Sequence, residues 1–242
     1  MTRSAESVSA PTVTNAPTAR AWILALAVGL AASLITWAAS ETLMRDETGM
    51  GSTRGTRIPV SPVVYSTQNG MTAFGLLGAT LGLGLGIVGG VLRGSSRSAI
   101  LAGLIGLALG GGAGVAAARG LVPFYFNNYS GVSLTTPLLV HGGLWMSIAL
   151  AAGFAFGLGL GGIPRAIEAL AFAIPGALLA TFLYEFTAIW LFSMAQPDRP
   201  LPVTPVSRFY TYLVTGIVVS VAMALCASRA RSSKSVAAPV VS

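Results

Sequence analysis

Two acidic residues, Glu168 and Glu185, fall inside long apolar stretches of the chain, and the single histidine, His141, opens another. An ionised carboxylate at the centre of a membrane helix costs roughly 2.5–3.5 kcal/mol on insertion scales, so an acid there needs a partner or a task. Glu185 extends the series Ala169, Ala173, Ala177 and Thr181 by one more step of four. Four residues carry a helix only slightly past a full turn, so Glu185 belongs to the small-residue stripe, turned towards other helices and away from lipid. A carboxyl placed there is a candidate proton carrier or cation ligand. His141 lies near the end to which the helix of Glu185 returns, so the two can pair across a helical hairpin and exchange a proton or respond to pH. The plainer alternatives are a Glu185 hydrogen-bonded to a tyrosine or serine and a His141 resting at headgroup level. Glu168 has a structural explanation. It follows Arg165 by three residues and Pro164 by four, and suits the first helical turn, where the helix dipole and the arginine both favour an anion.

Little else in the chain resembles catalytic chemistry. One histidine cannot build a multi-histidine metal site, and one cysteine, Cys226, allows no internal disulfide and no cysteine cluster. No aspartate lies in an apolar stretch to form an intramembrane dyad, and neither a nucleophile elbow nor a phosphate loop is present. Ser133 and His141 have nothing beside them that resembles an oxyanion arrangement. No enzyme, metal or cofactor is expected, and nucleotide-driven transport would need a partner chain.

The elements that hold these residues follow from composition. Of 242 residues 54% are apolar and only 9% charged, with a mean hydropathy of +0.77, values that no soluble surface accommodates. A bilayer core about 30 Å thick takes roughly 20 residues of helix. Six stretches qualify, at 21–39, 71–92, 99–118, 137–160, 166–194 and 209–227. The expected fold is therefore all-α, a polytopic membrane bundle with six transmembrane helices. The fifth stretch is longer than a perpendicular crossing needs, and Pro175 within it is the place for a kink, where the carbonyl of Ala171 loses its helical partner. Residues 1–20 and 229–242, rich in small and polar types, are expected to be disordered tails, the second with a basic cluster at Arg229, Arg231 and Lys234. An alternative for the first stretch is a signal peptide cut near Ser40, although its length and the bracketing Trp22 and Trp37 fit a retained helix better.

A net charge of +7 would suggest nucleic acid in a soluble protein, but here the basic residues border the apolar stretches, so nucleic acid is not an expected partner. Arg3, Arg20, Arg93, Arg97, Arg165, Arg229, Arg231 and Lys234 fall on one side; Arg45, Arg54, Arg57, Arg119, Arg199 and Arg208 fall on the other, where the connections are longer and carry most of the acids. That bias predicts cytoplasmic termini in a cell membrane. On the outer side, 123–129 is dense in aromatics and amides, which fits an interfacial belt or a surface for stacking on a sugar or protein. Asn128, Tyr129 and Ser130 form a glycosylation triplet.

Glycines and other small residues recur at a spacing of four. Gly78, Gly82, Gly86 and Gly90 mark the second span, Ala102, Gly106, Gly110, Gly114 and Ala118 the third, Gly143, Ser147, Ala151, Ala155 and Gly159 the fourth, and Gly216, Ser220, Ala224 and Ser228 the sixth. Such a glycine zipper lets helix backbones approach closely, which holds helices together where lipid competes equally for apolar contact. It serves packing within one chain, a glycine-lined pore or a homo-oligomer. The Gly-Leu runs at 81–86 and 157–161 also raise an internal duplication of two parallel hairpins. The partners expected are the bilayer and a second copy or another membrane protein. The function expected is that of a structural or accessory membrane protein; the alternative is a channel or proton-coupled transporter using Glu185.

Overall fold

A computed structural model describes residues 16–44, 50–53, 56–59, 61–131 and 133–236. Six helices are long and apolar enough to cross a membrane: α1 (Ala16–Leu43), α2 (Pro62–Arg93), α3 (Ser96–Asn128), α4 (Thr135–Gly161), α5 (Ile163–Leu191) and α6 (Pro205–Val236). The chain is an integral membrane protein built as a helical bundle. Between α1 and α2, where a plain loop was expected, β1 (Met50–Thr53) and β2 (Thr56–Pro59) pair antiparallel as a hairpin. Arg45, Asp46, Glu47 and Arg54 lie outside the described residues, as do 1–15 and 237–242 of the expected tails.

Five of the helices outrun their apolar stretches at both ends, because hydropathy measures the lipid thickness while a helix continues until the backbone is forced to stop; α5 is instead shifted, starting at Ile163 and ending at Leu191, three residues short of the expected Met194. α2 begins nine residues before Met71, at Pro62, whose ring fixes a helical φ and whose missing N–H falls where no intrahelical partner exists. α3 passes through Pro123 to Asn128, so most of 123–129 is helix and not loop. α6 continues past Arg229 to Val236, a run free of Gly and Pro in which charged and small polar residues extend the helix beyond the span. Ala16 to Arg20 are likewise helical. α5 starts at Ile163, which moves Glu168 from the expected first turn into the second; its contact with the Arg165 guanidinium is present. α5 is unbroken through Pro175.

α2, α4 and α6 form the inside: 50, 56 and 61% of their most apolar windows are buried, against 33, 33 and 39% for α1, α3 and α5. Phe74, Leu77, Leu81 and Leu85 of α2 meet Leu144, Ile148 and Phe156 of α4 in one core with Met223 of α6. Outward side chains of α3 and α5, among them Leu101, Leu104, Phe182 and Phe186, are apolar and exposed, the surface a bilayer requires.

The α2–α3 seam is made of backbone. A Cβ on Gly78 would overlap the carbonyl of Gly110, one on Gly82 that of Gly106, one on Gly86 that of Ala102, and one on Gly90 the backbone of Ala99. Gly114 meets Phe74 in the same way. The stripes of α2 and α3 thus face each other within one chain. α4 uses two faces. Gly159 lies on Gly86 and Gly90 of α2, while Gly153 and Gly157 receive Ala173 and Ala166 of α5. Gly216 of α6 rests on Gly29 and Ser33 of α1. The hairpins α2–α3 and α4–α5 share an orientation, each closing on a glycine of positive φ, Gly94 (φ 79°) and Gly162 (φ 83°). These tight turns define one end of the bundle, and the longer connections define the other.

Candidate functional site

The polar side chains of the interior gather at the long-loop end. Ala169, Ala173, Ala177, Thr181 and Glu185 of α5 are all buried, with Thr181 packed against Gly142 of α4. That register brings Glu185 to His141 in the second turn of α4: Nδ1 lies 2.5 Å from Oε1 of Glu185, with His141 fully buried and Glu185 7% exposed. The other ring nitrogen, Nε2, lies 3.1 Å from the carbonyl oxygen of Arg199 in the α5–α6 loop.

The hydrogen-bond partners favour one arrangement of protons. A carbonyl oxygen only accepts, so Nε2 must carry a hydrogen. A single further proton then lies between Nδ1 and Oε1, giving imidazolium with carboxylate or neutral imidazole with carboxylic acid. Either way the pair is neutral as a whole, which is the condition for burying two ionisable groups at the edge of an apolar bundle. Removing that proton would set a lone pair of Nδ1 against a carboxylate oxygen, and adding one would leave a net charge.

Aromatic rings enclose the imidazole. Trp145, one turn further along α4, stacks on it at 5.3 Å, and Tyr184 meets it edge-on at 5.2 Å. The indole Nε1–H of Trp145 is buried without a hydrogen-bond partner among the described residues. Leaving such a donor unmet costs about 1–3 kcal/mol, which the packing of a large ring between His141 and Tyr184 must offset.

The α5–α6 loop, 192–204, is bound from several helices. Tyr184 donates its hydroxyl to the carbonyl of Pro197 (3.1 Å), Tyr125 of α3 donates to Asp198 (3.0 Å), and His141 donates to the carbonyl of Arg199. Arg208 at the start of α6 gives Nη1 hydrogens to the carbonyls of Pro202 and Val203, while its Nε and Nη2 clasp both oxygens of Glu41 on α1 at 2.7 and 2.6 Å. A hydrogen bond to Asp198, then partial burial, raises the phenol of Tyr129 above its ordinary value of 10.0. Among the described residues no three His, Cys, Asp or Glu side chains are grouped to hold a metal ion.

No protein-family model, curated protein or solved structure matches this chain. Of the residues singled out in the sequence, His141 and Glu185 come together. Pro175 lies in mid-helix away from them, next to Gly176, which packs on Ala222 of α6. The glycines of α2 and α3 form a seam separate from this site. Sequence reasoning missed Asp198 with Tyr125, the carbonyls of Pro197 and Arg199, and the Glu41–Arg208 pair. Only the last had a signal: both residues border apolar stretches on the same side.

Proposed function

We propose that this chain is a structural or accessory multi-pass membrane protein without enzymatic activity, set in a cell membrane with both termini cytoplasmic. One observation carries the reading: both ring nitrogens of His141 are committed, one to Glu185 and one to the backbone of the α5–α6 loop. The ionisable pair serves as a fastener that seats a loop across the ends of α3, α4, α5 and α6. The filled core below it, with Trp145, Leu144, Ile148 and Phe156 fully buried, supports the same view. In this reading the partners are the bilayer and a second copy or another membrane protein, which can approach α3 along its exposed Ala108, Gly112, Ala116 and Gly120.

The alternative, a channel or proton-coupled transporter working through Glu185, makes a different prediction in liposomes. With an imposed pH and potassium gradient, the accessory reading expects no dye-reported flux from wild type or Glu185→Gln, and a lower melting temperature for the variant. Flux in wild type that disappears in Glu185→Gln, with folding intact, replaces the accessory reading by transport.

A further inference from the structure

Beside the loop fastener lies a cavity of about 280 Å³ that the tethers surround without filling. Ser66 and Asn69 of α2, Phe126 of α3, the Glu41–Arg208 pair and Arg199 of the loop contribute to its wall. The charges there are unequal in availability. Glu41 is neutralised by a two-point contact with Arg208, whose remaining hydrogen bonds go to the carbonyls of Pro202 and Val203, so this pair is a closed unit. The guanidinium of Arg199 has no hydrogen bond or ion pair among the described residues, although its carbonyl is fixed by His141. Its sequence neighbour Asp198 lines a second cavity that shares Phe126 and Arg199 with the first, and already accepts from Tyr125. The first cavity therefore has one surplus positive charge, a serine hydroxyl and an apolar wall in Phe126 and Val122.

A planar guanidinium with unused N–H groups binds a carboxylate through two parallel hydrogen bonds. A single surplus charge matches a monoanion, and the ring of Phe126 offers a flat apolar face to the rest of the ligand. We propose that this cavity is a binding site for a small organic monoanion, a carboxylate with an apolar body, whose carboxylate is held by Arg199. This stands apart from the accessory reading, because ligand binding and ion flux are separate measurements.

The test is isothermal titration calorimetry on the purified full chain in detergent, with sodium benzoate, inorganic phosphate and choline chloride as probes. Benzoate is expected to saturate a single site. Arg199→Gln is expected to weaken it about tenfold or more, and Ser66→Trp, which fills the cavity, to abolish it. Arg199→Gln keeps the carbonyl that His141 needs, so without ligand its melting temperature should stay at the wild-type value, which separates loss of binding from loss of fold. Absence of saturable benzoate binding overturns the proposal, as does benzoate affinity unchanged in Arg199→Gln. Saturation by phosphate or choline in place of benzoate overturns the assigned ligand class.

Discussion

The α2–α3 seam and the long-loop end of α4, α5 and α6 hold helices together by opposite means. Along the seam Gly78, Gly82 and Gly86 place backbone against the backbone of Gly110, Gly106 and Ala102, and cohesion comes from dispersion over closely approached surfaces. At the loop end the contacts are few, directional and hydrogen-bonded, made by His141, Glu185, Tyr184, Tyr125 and Arg208. A packed seam tolerates no added atom, since neither backbone can move without its whole helix. A polar fastener tolerates added volume better but not a lost partner, because what remains is a buried unpaired group. The two regions should therefore fail under different substitutions.

The largest effect is expected on the seam. Gly82→Val places a Cβ on the carbonyl of Gly106 and pushes α2 and α3 apart along their length. The cost should exceed about 3 kcal/mol, the upper part of the range for overpacking, and the chain should lose its monodisperse peak in size-exclusion chromatography. Gly112→Ala is the control: within the single chain a Cβ there meets nothing within 4 Å, so the melting temperature of the monomer in detergent should stay level or rise. Equal behaviour of the two variants would mean that close approach does not hold the seam. Next comes His141→Ala, which leaves Glu185 buried and unpaired and frees the Arg199 carbonyl, at about 3 kcal/mol. Hydrogen exchange should speed up across the 192–204 loop and stay slow along the α2–α3 seam. The double replacement His141→Phe with Glu185→Leu should recover most of the melting temperature, since a well-packed apolar pair can substitute for an ion pair. A double variant as unstable as His141→Ala would show that the polar contacts themselves are required.

What could be read in advance differs between the two regions for physical reasons. The seam was legible because a period of four in glycine maps directly onto one helix face, although the sequence left open whether the facing stripe belonged to the same chain. The meeting of His141 and Glu185 was legible because a stripe position and a hairpin orientation suffice to place both. The rest of the loop fastener was hidden. The carbonyls of Pro197 and Arg199 have no side-chain signature, and Tyr125 reaches Asp198 across 73 residues from a segment that Pro123 made look like loop. Gly29 and Ser33 of α1, which receive Gly216, continue a spacing of four from Ala21 and Ala25, a stripe that was legible in the sequence but was not among those singled out.

A smaller effect is expected where the loop end meets α1. Arg208→Met deprives Glu41 of its two-point partner and frees the carbonyls of Pro202 and Val203, but all of these lie near solvent, with side-chain exposures of 15% for Arg208 and 24% for Glu41. Water can take over part of the bonding, so the loss should be about 1–2 kcal/mol in a denaturation measurement. A loss as large as that of His141→Ala would move the centre of the fastener from α4–α5 to α1–α6.

The smallest effect concerns Tyr129, at the rim. Ionising its phenol removes the hydrogen that Asp198 accepts and sets a second anion beside that carboxylate, which is why its pKa is raised. By linkage, the stabilisation from this contact is complete below the ordinary tyrosine value of 10.0 and is lost as pH climbs through the raised folded value. Tyrosinate absorbance of wild type minus Tyr129→Phe isolates this one titration, and it should lie above that of a free tyrosine. Asp198→Asn should bring it down, because the hydrogen bond to Asp198 is the largest cause of the rise. Arg199→Gln should move it slightly further up, since the guanidinium favours the phenolate and opposes Asp198. If Asp198→Asn leaves the titration in place, burial and not Asp198 governs this rim, and the tie between α3 and the loop rests on Tyr125 alone.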